Sequence, residues 1–80
     1  MNVNKQFLKE CALYIRGEVP EIKIRGNSKI ISLFANTLSE SRRLYLALQS
    51  GELSKTLPLL ENKRAASKLL REKTGYVWPL

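Results

Sequence analysis

Eighty residues carry fourteen Lys and Arg against seven Glu, with no His, for a net charge of +7. Too short for two domains, the chain reads as one small basic domain, 1–80. The composition excludes histidine-based catalysis, and the single cysteine, Cys11, supplies neither a disulfide nor a tetrahedral zinc site.

A first helix is predicted over about 4–17. Phe7, Leu8, Cys11, Tyr14 and Ile15 recur at helical spacing and share one face, with Lys5, Lys9 and Arg16 opposite. Gly17 is a natural stop, and Pro20 keeps Val19 out of helical geometry. Cys11 sits in the apolar face with no imidazole to activate it, so a buried, inert thiol is expected.

A short strand is predicted over 21–25. Ile22 and Ile24 alternate with Lys23 and Arg25, the pattern of a half-buried strand. Gly26 breaks it, and Asn27 or Ser28 is placed to cap the next helix. A lone strand needs a neighbour for its backbone groups. The candidates are 76–78 of the same chain, where Tyr76-Val77-Trp78 reads as a second short strand, or the same strand of a second subunit.

The second helix is predicted over 28–50, with the stripe Ile30, Leu33, Phe34, Leu38, Leu44, Tyr45 and Leu48. The segment Asn36–Ser41 could break it, with Ser39 as a fresh cap. The stripe keeps phase across that segment, which favours one unbroken helix in which small Thr37 and Ser41 admit a close neighbour. Ser50-Gly51 ends it. The last helix is predicted over 58–74, with Thr56 as its cap and Pro58 in its first turn, where a missing N–H costs least. Gly75 ends it. The expected fold class is therefore mainly α, α+β at most: three main helices with one or two short strands.

Function is argued from charge. No spacing of the seven glutamates picks out an acid–base pair, GNSK after the strand lacks the second glycine of a Walker loop, and no metal, cofactor or catalytic residue is expected. The basic residues are better organised. Arg64, Lys68 and Arg71 follow i, i+4, i+7 and form one stripe opposite Leu59, Ala66, Leu69 and Leu70, with Lys63 on its flank. Lys23 and Arg25 on the strand, and Lys29 in the first turn of the second helix, extend the charge beside a helix start that favours anions. Any amphipathic helix shows charges opposite its core. The scarcity of acids inside these stripes is what points to a polyanion.

From Arg42 to Trp78 the order helix, Ser-Gly, short helix, basic helix, aromatic strand resembles a winged helix–turn–helix, in which the basic helix would enter the major groove. There is no room for a second wing strand before Leu80, and Pro58 directly after Leu57 fits the turn poorly. Tyr76 and Trp78, sharing one side of a terminal strand, would be bases' stacking platforms if exposed and core or interface if not.

The expected function is a small non-catalytic nucleic-acid-binding protein that holds the phosphate backbone of DNA or RNA. The alternative is a protein–protein module (adaptor, inhibitor or structural homodimer) using the strand edge and the leucines off the main stripes: Leu13, Leu46, Leu53, Leu57 and Leu60. MNVNKQFLKE lacks the apolar run of a secretory signal, and the longest apolar run, Leu44–Leu48, is too short to cross a bilayer. An intracellular place, cytoplasmic or nuclear, with no membrane partner is expected.

Overall fold

A computed structural model describes residues 4–80, in which three helices account for all the regular structure. Helix α1 spans Lys5–Ile15. Its first turn is closed by Asn4, whose Oδ1 accepts the Phe7 N–H at 2.7 Å. At its other end Gly17 turns left-handed, and the Gly17 and Glu18 N–H groups donate to the carbonyls of Tyr14 and Leu13. That double closure satisfies carbonyls the helix leaves orphaned, and stops α1 two residues short of the predicted end.

Helix α2 spans Ser28–Gln49 without a break. Asn27 caps it through the Ile30 N–H at 3.0 Å. The polar run in its middle does not interrupt it, and Thr37 satisfies its own hydroxyl by donating to the Leu33 carbonyl one turn back at 2.8 Å. Gly26, just before the cap, has φ of 147°, and a Cβ there would lie 3.2 Å from Ile30 Cγ2. The chain enters α2 along a path that glycine takes at least cost.

Helix α3 spans Leu53–Thr74, five residues earlier than predicted. Thr56 is not its cap; it lies inside the helix and donates to the Glu52 carbonyl at 3.3 Å. Pro58 is also internal. The bond its missing N–H forfeits would have gone to Ser54, which is exposed, so water can satisfy that carbonyl. The short helix and turn of the helix–turn–helix resemblance are therefore absent: 53–74 is one rod.

The predicted strands are a second correction. Among the described residues 21–25 and 76–78 form no strand, and no ladder joins them to each other. The alternation survives without the ladder. Ile22 and Ile24 pack on the core while Lys23 and Arg25 are exposed; Tyr76 and Trp78 face in while Val77 faces out. What places both segments is the packing of their inward side chains on the core.

Helices α2 and α3 run antiparallel. Thr37 Oγ1 reaches the Ala66 carbonyl at 3.4 Å, while Lys29 and Lys73 line one cleft at the far end from the connecting turn. Thr37 and Ser41 are buried, and Ala66 opposite is small, so the two backbones approach closely along the face the sequence marked for a close neighbour. Helix α1 packs on the same α2 near Phe34 and Leu38. Cys11, Ile15, Phe34, Leu38, Leu70 and Trp78 form the core, with Phe7, Tyr76 and Trp78 ringed around Phe34 at 5.9, 5.9 and 6.2 Å between centroids.

The Cys11 side chain is wholly buried, and burial, followed by the neighbouring Glu10 charge, pushes its thiol up to about 11. A raised thiol pKa means the folded state holds the proton more firmly, so this contribution to stability is present below the unfolded value and fades as pH climbs through about 11. Native protein at about pH 8 should resist alkylation by iodoacetamide, and denaturant should restore reactivity. Labelling of the native chain at the rate of a free thiol would contradict this burial.

Candidate nucleic-acid interface

The rotation of α3 about its axis decides where its charges point. Ala66 and Leu70 are pinned against α2, which turns Arg64, Lys68 and Arg71 outward. These three, with Lys63, Leu60 and Ser67, form one wall of a groove whose other wall is Val77 and Trp78 from the segment after α3. Four of the seven residues selected from sequence thus stand together.

The second wall is fixed by two polar contacts. Trp78 is buried and its indole N–H donates to Ser41 Oγ at 3.0 Å, satisfying both groups inside the core. Lys63 Nζ donates to the Leu80 carbonyl at 2.7 Å. Lys63 is therefore half-buried and engaged with the tail, so its part is to hold the wall. Base stacking on Tyr76 or Trp78 is excluded by their placement, since both rings pack against Phe34.

Several cations elsewhere are already used. Arg16 pairs with Glu18 at 2.9 Å, Arg43 with Glu40 at 3.1 Å and Lys55 with Glu52 at 2.9 Å. The Arg42 guanidinium lies 4.8 Å from the centre of the Tyr14 ring, tying α1 to α2. The exposed pairs Arg16–Glu18 and Lys55–Glu52 add little stability, since solvent screens them. What they do is cancel local charge, leaving the excess of +7 elsewhere. None of Arg64, Lys68 and Arg71 forms an ion pair among the described residues.

The remaining sequence-selected residues lie apart from the groove. Lys23 and Arg25 are exposed on the segment before α2 and line neither groove nor cleft. Lys29 lines a cleft on the opposite flank of α3, together with Asn27, Ser28, Leu33, Leu69 and Lys73. Lys73 was missed in the sequence because it falls off the Arg64 stripe; only the return of α3 to the start of α2 sets it beside Lys29. The same antiparallel packing leaves leucines uncovered at the hairpin end, with Leu53 78% and Leu57 69% exposed and Leu48 55%.

No family model, curated protein sequence or solved structure matches this chain. No described helix is long and apolar enough to cross a membrane.

Proposed function

We propose that this chain is a small, non-catalytic nucleic-acid-binding protein that grips the phosphate backbone with α3. The observation that carries the reading is the clustering of Arg64, Lys68 and Arg71 along one groove, none of them in an ion pair among the described residues although Glu72 lies nearby. Seven residues of helix separate Arg64 from Arg71, a rise of about 10 Å, over which one strand of duplex presents about three phosphates. Charge of one sign on a rigid helix steers a polyanion and holds it without reading sequence. The reading fits a protein that works inside the cell, where nucleic acid is.

Binding should be strongly salt-dependent. Three phosphate contacts predict a slope of log affinity against log salt of about −2.7 on duplex, a loss of roughly 40-fold between about 50 and 200 mM salt. Fluorescence anisotropy with labelled probes measures it. A flat response, or no binding near physiological salt, would remove the reading.

A second reading has its own observation. The exposed leucines at the α2–α3 turn, Leu48, Leu53 and Leu57, form the kind of surface that protein partners or a second copy cover. Glu52–Lys55 and Glu40–Arg43 neutralise charge near that end, so a homodimer formed there would bring little net charge together. Sedimentation of a monomer at high concentration would argue against the homodimer.

A further inference from the structure

Helix α3 carries cations on both flanks of its exposed face. On one flank Arg64 and Arg71 line the groove with Val77; on the other Lys73 and, from α2, Lys29 line the cleft. Between them runs a ridge at i, i+3, i+4, i+7: Ala65, Lys68, Leu69 and Glu72, all exposed. Glu72 forms no ion pair among the described residues. An acid in the middle of a surface meant only for phosphate would weaken it. An acid flanked by cations suits a helix whose middle faces groups that donate hydrogen bonds while its flanks face phosphates.

We propose that the C-terminal half of α3, about residues 64–73, lies in the major groove of duplex DNA, with Arg64 and Arg71 on one phosphate backbone and Lys29 and Lys73 on the other. This rests on the nucleic-acid reading above and names its substrate. An α-helix with its side chains is about 10–12 Å across, and the major groove of B-form DNA is about 12 Å wide, so a helix seated there has a backbone on each side. The ridge then meets base edges. Glu72 accepts from a cytosine amino group, Lys68 donates to guanine, and Ala65 and Leu69 meet thymine methyls. An A-form RNA duplex does not admit the helix, because its major groove is deep and narrow. A single strand offers one backbone, which engages one flank only. The opposite face of α3 is already occupied by α2, through Ala66 and Leu70, so the seated helix has a rigid support.

The test compares the Lys29→Gln/Lys73→Gln and Arg64→Gln/Arg71→Gln variants with the unaltered chain on duplex DNA, duplex RNA and single-stranded DNA of one sequence. All four side chains are exposed, and far-UV circular dichroism confirms that each variant stays helical. Four phosphate contacts, two on each flank, predict a duplex-DNA salt slope of about −3.6, and each double variant should lower its steepness by about 1.8. Single-strand binding should lose steepness in only one of the two variants, and duplex DNA should outcompete duplex RNA. If Lys29→Gln/Lys73→Gln leaves the duplex slope unchanged while Arg64→Gln/Arg71→Gln lowers it, the straddled groove is wrong and the one-sided phosphate grip stands. If neither variant changes the slope, both are wrong. Equal binding of duplex RNA and duplex DNA also overturns the major-groove placement.

Discussion

Replacing Trp78 by alanine is expected to cost about 3–5 kcal/mol of folding stability, the range for emptying a large buried aromatic site. A chain of this length has only about 4–12 kcal/mol to lose, so the variant should be partly or wholly unfolded at physiological temperature. Two effects add. The ring leaves a hole beside Phe34 in a core of few large side chains, and Ser41 loses the indole N–H that satisfies its hydroxyl. Ser41→Ala separates them. It keeps the packing and orphans the buried indole N–H, for a smaller loss of about 1–3 kcal/mol. Trp78 is the only tryptophan, so urea unfolding must be followed by circular dichroism. A loss below about 1 kcal/mol for Trp78→Ala would mean that the tail does not complete the core.

Reversing charge at Arg64→Glu and Lys68→Glu together should weaken nucleic-acid binding by on the order of a hundredfold at low salt, through two lost cationic contacts and two new repulsions. Both side chains are exposed and neither is in an ion pair among the described residues, so the helix should fold as before. The informative control is Lys5→Glu/Lys9→Glu on α1, whose side chains are equally exposed. Each double change moves the net charge by four, from +7 to +3. If binding follows total charge, the two variants lose alike. If it follows the α3 face, only the first does. Anisotropy on one duplex probe at constant salt decides between them, and equal losses would reduce the site to a diffuse field.

Much of this architecture is legible from residue order, because its signals are local. Helix ends follow from Asn4, Asn27, Gly17, Gly51 and Gly75, whose side chains or backbone freedom act within one turn. The Arg64, Lys68, Arg71 stripe is likewise a property of one helix and its period. The strand at 21–25 illustrates the opposite case. Alternation reports which side chains turn inward, and Ile22 and Ile24 do pack on the core, but a strand also needs a second backbone, which no local pattern guarantees. Pro58 misled for a related reason: its position inside a helix depends on whether the carbonyl it orphans is open to water, and Ser54, which carries that carbonyl, is exposed.

Tertiary structure alone decided which charges work together. Lys63 looks like part of the basic stripe, yet its ammonium is bound to the Leu80 carbonyl seventeen residues away. Lys29 and Lys73 stand forty-four positions apart and line one cleft, because α3 returns antiparallel along α2. Trp78 packs in the core against Phe34 and is tied to Ser41 of α2, which takes it from any stacking role and leaves its exposed neighbour Val77 along the groove. From the sequence by itself came a basic, mainly helical chain with its charge gathered on the last helix, since composition and period act residue by residue. The placing of that charge on two flanks of one exposed rod came from packing, since it depends on which face of α3 meets α2.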